Sequence, residues 1–69
     1  MIELENNFEI VGILSNVEKN EKNTILTFST FKKIELPTSK LRQYRLEELK
    51  GTRIGLGHFE NKYLIRKIK

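Results

Sequence analysis

Apolar and polar residues alternate in short stretches along this chain, and wholly polar segments separate the stretches into predicted strands. Residues 7–17, rich in Phe, Ile, Val and Leu, predict a long first strand with Gly12 near its middle, where a glycine is typical of a bend. The polar segment 18–23 contains two Asn residues and predicts a hairpin loop. Residues 24–30, in which Thr and Ser are interspersed with Ile, Leu and Phe, predict a second strand.

The second half of the chain predicts three more strands and one helical turn. A third strand over residues 31–36 ends at a proline, which has no N–H to donate to a neighbouring strand. Residues 46–50 predict a helical turn that ends at a glycine, and the segment before it suits either helix or loop. The last two strands, residues 52–58 and 62–69, form a predicted hairpin in which Asn61 tolerates positive φ.

Period-two alternation assigns side chains to an inner and an outer face of these strands. The predicted core consists of Leu26, Phe28, Ile34, Leu36, Ile54 and Leu56, with Phe8 added from the first strand. The predicted outward side chains are Ile25, Thr27, Ser29, Phe31, Lys33, Glu35, Arg53 and Phe59. The last strand has apolar residues on both faces, so alternation leaves the side of Tyr63 open. The single histidine, His58, falls on the inner face and is expected to be half-buried and structural.

The charge of the chain is divided unevenly between its two halves. Residues 1–31 carry five Glu against two Lys, a net charge of −3, whereas residues 32–69 carry eleven Lys and Arg against four Glu, a net charge of +7. Part of a small domain can therefore hold a positive potential that attracts polyanions. The alternative is that these Lys and Arg side chains only keep the outer surface of the domain in contact with water.

The length of 69 residues predicts one domain over residues 1–69, in which residues 1–6 form a flexible or edge segment. A chain this short is near the lower limit for a self-sufficient core, and without Cys it has no disulfide or thiolate metal site. A closed barrel or dimerisation would compensate. The acidic start lacks a signal-peptide pattern and no stretch is long enough to span a membrane, so we expect a cytoplasmic protein without a membrane partner.

The residue set offers little for catalysis. The chain has no Asp, no Cys and a single His, and no glycine-rich phosphate-binding loop follows a strand. We therefore expect a protein that is not an enzyme and that uses neither metal nor cofactor.

The predicted order β-β-β-α-β-β resembles the OB-fold (oligonucleotide/oligosaccharide-binding), a five-stranded Greek-key barrel. Residues 49–56 (LKGTRIGL), followed by residues 62–66 (KYLIR), are similar to the junction between helix and fourth strand, and to the fifth strand, of small members that bind single-stranded nucleic acid. The resemblance implies an all-β domain, an OB-like barrel with one short helix. SH3-like and Sm-like barrels use similar parts and stay open as alternatives.

The resemblance also implies a function, which is binding of single-stranded DNA or RNA across the second and third strands and the loops beside them. Cations would hold phosphates and aromatic rings would stack on bases, with little sequence preference. The candidate residues are Lys22, Thr27, Phe31, Lys33, Arg53, Phe59, Lys62 and Tyr63, with the rings of Phe31 and Phe59 as the stacking platform. The alternative is a small protein-interaction module, an accessory or inhibitory subunit, that uses the same basic surface. A glycan-binding barrel ranks third because Trp is absent.

Overall fold

The computed structural model describes residues 2–68, which form six strands and two short 3₁₀ turns. The strands are β1 (Ile2–Glu3), β2 (Phe8–Lys19), β3 (Asn23–Phe28), β4 (Lys33–Pro37), β5 (Arg53–Phe59) and β6 (Lys62–Lys67). The 3₁₀ turns, Thr38–Lys40 and Leu46–Leu49, both lie between β4 and β5. Within the described residues, no helix has the length and apolar character needed to cross a membrane.

The strands form one sheet in the order β1-β4-β3-β2-β5-β6, in which every neighbouring pair is antiparallel except β1 and β4. The long strand β2 belongs to both halves of this sheet. Its first part pairs with β5, its second part pairs with β3, and the register shifts between Leu14 and Asn16. This β-bulge bends the strand, so the two halves of the sheet enclose a single core.

The mostly antiparallel β structure confirms the predicted fold class, but the predicted closed barrel is not formed. Strands β1 and β6 are the two edges of the described sheet, with no pairing between them. The edge of β4 that would close a barrel pairs instead with β1. Beside β6, the hydroxyl of Tyr44 donates a hydrogen bond to the Tyr63 carbonyl at 3.0 Å, which covers part of the other edge. The predicted helical turn is also shorter, a 3₁₀ turn at Leu46–Leu49.

The core confirms the alternation read from the sequence. The side chains of Leu26, Phe28, Ile34, Leu36, Ile54 and Leu56 are all buried. Phe28 approaches β2 closely, because a Cβ built at Gly12 would lie 3.1 Å from its ring. Gly12 therefore makes room for the ring. The bend that was predicted at Gly12 occurs instead at the bulge beside Leu14.

Phe8 is an exception to the predicted core, since 56% of its side chain is exposed. It is the first residue of β2 and pairs with His58 near the end of β5, so its ring extends beyond the interior. His58 itself is half-buried, as predicted, and its Nδ1–H donates to the Leu4 carbonyl at 2.8 Å.

Local turn chemistry explains two of the hairpin connections. The β5–β6 connection is a two-residue turn in which Glu60 and Asn61 have φ of 52° and 61°, which confirms the positive φ predicted for Asn61. The β2–β3 loop covers only residues 20–22. It is shorter than predicted because the Asn20 side chain accepts hydrogen bonds from the N–H groups of Lys22 and Asn23, which tightens the turn.

Candidate nucleic-acid interface

The outer face of β3 and β4, on which the resemblance places nucleic acid, changes from basic to acidic along the strands. Thr27 pairs with Lys33 at one end of this face. Two residues further along β3, Ile25 pairs with Glu18 of β2 on one side and with Glu35 of β4 on the other. Glu3 of β1 pairs in turn with Glu35. Three carboxylates therefore disfavour a polyanion over that half of the face.

Lys22 and Lys62 lie together at one end of the molecule, which we call the loop end (residues 20–22, 38–42 and 60–62). The N–H of Thr38 donates to the Lys22 carbonyl at 3.0 Å, and the Lys40 ammonium donates to the Asn61 carbonyl at 2.9 Å. The turn Thr38–Lys40 thereby ties the β2–β3 and β5–β6 connections to each other. Each connection also carries one Glu, so the charge of the loop end is mixed.

Tyr63, a candidate for base stacking, lies in the core instead. Only 9% of it is exposed, and its ring stacks on that of His58 with centroids 4.1 Å apart. Burial raises the pKa of the Tyr63 hydroxyl, and the negative charge of Glu3 raises it further, so the phenol stays neutral at physiological pH. A ring already stacked and buried presents no free face to a base, which corrects the prediction for this residue.

Phe31 lies at the opposite end of the molecule, in the turn between β3 and β4. The N–H of Phe31 donates to the Phe28 carbonyl at 2.8 Å, and the N–H of Phe28 donates to the Lys32 carbonyl at 2.9 Å. Phe31 has φ of 65°, a left-handed conformation that glycine normally occupies at this position of a hairpin. Its side chain is 88% exposed, the highest value among the exposed large hydrophobic residues described.

Phe31 is therefore unfavourable for folding in two respects, its backbone conformation and its exposed ring. The left-handed conformation costs about 1–2 kcal/mol for a residue with a Cβ, and strain of this kind is concentrated at functional sites.

We expect Phe31→Gly to raise the free energy of unfolding by about 1 kcal/mol. Urea denaturation followed by circular dichroism checks this, with Thr30→Gly as the control for added chain flexibility. A loss of stability in Phe31→Gly would show that the ring supports the fold.

Four cations lie at what we call the turn end (Ile13, residues 29–33, 52–53 and 67), and one of them, Lys67, pairs with Ile54 of β5. Lys32 and Lys33 follow Phe31 directly in the chain, and both are exposed. The third cation is Arg53, which pairs with Ile13, whose carbonyl accepts from the N–H of Ser29 at 2.8 Å.

Two strand spacings separate Arg53 from the turn, a distance of roughly 10 Å. None of the ion pairs found in residues 2–68 involves Lys32, Lys33 or Arg53, and the turn end contains no Glu. These cations are therefore free to meet an anion.

Phe59, the other ring of the predicted stacking platform, is remote from Phe31. It lies six residues along β5 from Arg53, roughly 20 Å away. Its ring lies over Gly57, where a Cβ would overlap the ring, and 37% of the side chain is exposed. Phe31 and Phe59 thus lie at opposite ends of the molecule and do not form one platform.

Sequence reasoning missed two features of this surface. Lys32 belongs to the turn end, and its adjacency to Phe31 was the available signal. Val11 and Ile13 are exposed on the outer face of β2. The sequence did not predict this exposure, because β2 has apolar residues on both faces and polarity does not distinguish its inner face from its outer face. Within residues 2–68, no group of three or more His, Asp or Glu side chains could hold a metal ion.

Comparisons with known proteins give no relative from which a site could be transferred. No protein-family model, no curated protein and no solved structure matches this chain.

Proposed function

We propose that this protein binds single-stranded DNA or RNA at the turn end, with the Phe31 ring stacked on a base and with Lys32, Lys33 and Arg53 holding phosphates. The observation that carries the proposal is the exposure of Phe31, 88%, on a left-handed backbone and directly before two unpaired lysines. An aromatic ring combined with cations is the arrangement by which proteins hold single strands.

Single strands fit this site better than duplexes. A stacking ring requires an unpaired base whose face is free, and a duplex hides its base faces. The cations form two groups, Lys32 with Lys33 on one side and Arg53 roughly 10 Å away across β2. A short length of the nucleic-acid backbone can cross between these two groups of cations. Every base has a π-face, so stacking on Phe31 implies little sequence preference.

The acidic half of the β3–β4 face restricts the path of the strand. Glu18 and Glu35 lie two residues beyond Thr27 and Lys33. A polyanion that followed β3 and β4 would meet these carboxylates, whereas one that crosses the turn end avoids them. The proposed path thus differs from the one that the resemblance implies.

The proposal includes an OB-like fold. Support comes from the antiparallel order of β2, β3 and β4, the 3₁₀ turns that follow, and the return of β5 to pair with β2. The small size of the chain and its basic second half are compatible with it.

Fluorescence anisotropy with labelled oligo(dT) and oligo(U) at several salt concentrations tests the proposal. We expect affinity to fall with salt, with a slope of about −0.7 per phosphate neutralised. Phe31→Ala should weaken binding of all sequences by about 1–3 kcal/mol and leave the slope almost unchanged. Phe8→Ala is the matched control, since Phe8 is also exposed but lies near the loop end.

If a folded Phe31→Ala variant binds oligonucleotides with wild-type affinity, the Phe31 ring does not stack on a base. Absence of salt-dependent binding in the wild type would reject the nucleic-acid function and favour the alternative, a protein-interaction module.

A further inference from the structure

A cavity of about 380 Å³ lies between the edge of β4 and the end of β5, at the point where β1 leaves the sheet. Strand β1 pairs with β4 only over Ile2–Glu3. The chain then crosses to β5, where the Leu4 carbonyl accepts a hydrogen bond from His58 at 2.8 Å. The last two residues of β4 therefore have no strand beside them and form one wall of a gap, which we call the β1–β4 cavity. Its volume is within the range of small-molecule sites.

Three acidic residues line the β1–β4 cavity, namely Glu3, Glu5 and Glu35. None of them belongs to an ion pair within residues 2–68, and no Lys or Arg of these residues lines the cavity. Glu3 and Glu35 are direct partners on neighbouring strands, whose backbones are roughly 5 Å apart. Like charges placed opposite each other destabilise a sheet. A cation bound between these two carboxylates would relieve their repulsion.

The Tyr63 hydroxyl is a second, independent feature of the same cavity. Tyr63 is only 9% exposed, and within residues 2–68 its hydroxyl has no hydrogen-bond partner, since the bond from Tyr44 goes to its backbone carbonyl. Every fully buried polar side-chain atom of these residues has a partner, so the Tyr63 hydroxyl must face open space, and the open space that Tyr63 lines is the cavity. A buried tyrosine hydroxyl usually has a hydrogen-bond partner. A polar ligand in the cavity would supply one.

The spacing of the three carboxylates selects an organic cation over a metal ion. No group of three or more His, Asp or Glu side chains in the described part of the chain lies close enough together to hold a metal ion. Glu5 is two residues from Glu3, so their backbones are up to roughly 7 Å apart. Between these charges the cavity wall is apolar and includes Leu4, Leu36 and Pro37. Two ammonium groups joined by an alkyl chain match this arrangement of charge and apolar surface.

We propose that the β1–β4 cavity binds a linear alkyl diamine. One ammonium group lies between the carboxylates of Glu3 and Glu35 and donates a hydrogen bond to the Tyr63 hydroxyl. The second ammonium group pairs with Glu5, and the alkyl chain lies along the apolar wall. Hydrogen bonds between an ammonium and a carboxylate are roughly twice as strong as those between neutral groups, so they supply most of the affinity.

The diamine site is independent of nucleic-acid binding. Its carboxylates repel phosphates, and none of its residues belongs to the turn end. Lys40 lies 5.9 Å from the centroid of the Tyr63 ring, but its ammonium donates to the Asn61 carbonyl and it does not line the cavity. The chain's own cation therefore does not occupy the site.

Isothermal titration calorimetry with 1,4-diaminobutane, at low salt and without nucleic acid, tests the proposal. We expect one diamine to bind per chain. Butylamine should bind at least about tenfold more weakly because it lacks the second ammonium group. Mg²⁺ should also bind at least about tenfold more weakly, because the three carboxylates cannot converge on one ion. The diamine should raise the melting temperature, since it binds only the folded protein.

Two variants locate the diamine in the cavity. Glu35→Gln should weaken binding about tenfold, and Tyr63→Phe, which keeps the ring that stacks on His58, should weaken it about threefold. Glu18→Gln is the matched control, because it removes the same charge from a residue that does not line the cavity. Its affinity should stay within about twofold of the wild type. Circular dichroism checks that each variant folds.

Three results would overturn the proposal. The first is a folded wild-type protein that binds no diamine at about 10 mM. The second is equal affinity for 1,4-diaminobutane and butylamine, which would mean that the second ammonium group has no partner. The third is an equal loss of affinity in Glu35→Gln and Glu18→Gln, which would mean that the amine responds to net charge and not to the cavity.

Discussion

Replacing Phe28 by Ala is expected to lower the free energy of unfolding by about 3–5 kcal/mol, as truncation of a large aromatic side chain in a core does. Phe28 is 2% exposed and contacts β2 at Gly12, where no side chain is present to fill the space that its ring would leave. A domain of this length has a total stability of roughly 3–10 kcal/mol. The variant should therefore be largely unfolded at physiological temperature.

Phe31→Ala is the matched control, because it makes the same substitution three residues away on an exposed side chain. Its effect on the free energy of unfolding should stay within about 0.5 kcal/mol. Urea denaturation of both variants, followed by circular dichroism, gives the comparison. Similar small losses for Phe28 and Phe31 would mean that the inner and outer faces of β3 and β4 are assigned the wrong way round.

Reversing two charges at the turn end, in the double variant Lys33→Glu/Arg53→Glu, is expected to weaken oligonucleotide binding by more than about a hundredfold at low salt. Hydrogen bonds to charged groups contribute roughly 1.5–3 kcal/mol each, and the double variant loses two of them. The salt slope should also become shallower by about 1.4, since two phosphates are no longer neutralised. Both side chains are exposed, so the fold should be retained.

The double variant Lys22→Glu/Lys62→Glu is the control for net charge. It changes the total charge by the same amount but lies at the loop end, where both residues are also exposed. Its effect on affinity should be smaller, because exposed charges at a distance are screened by salt. Equal losses in the two double variants would show that binding follows net charge alone, and the turn-end site would then be wrong.

Alternation along β3 and β4 predicted which side chains are buried, because both strands have one face on the core and one towards solvent. Leu26 and Leu36 are fully buried, and Thr27 and Lys33 lie outward, as expected. The same method failed for β2. Its outer face carries exposed Val11 and Ile13, so the strand has no alternation of polarity to read.

Turn chemistry was predictable only where the residue agrees with its conformation. Asn61 commonly adopts positive φ, and it does so here. Phe31 has the same kind of φ against its own preference, because two hydrogen bonds close the turn and a third, from Ser29 to Ile13, holds the turn against β2. The outward position of the Phe31 ring could be predicted, but its strained backbone could not.

The sequence by itself determined the all-β class, the core of β3 to β5, the exposure of Phe31 and the separation of charge into an acidic and a basic half. Only the tertiary structure decided where those charges meet. The acidic first half supplies β2, which pairs with β5, and β5 pairs in turn with the basic strand β6, so that Glu9 comes within 3.7 Å of Arg66. Strand pairing between residues distant in the chain thus mixes the two halves. Cations outside the ion pairs of residues 2–68 therefore remain at both ends of the molecule, and the turn end differs from the loop end in that it contains no Glu.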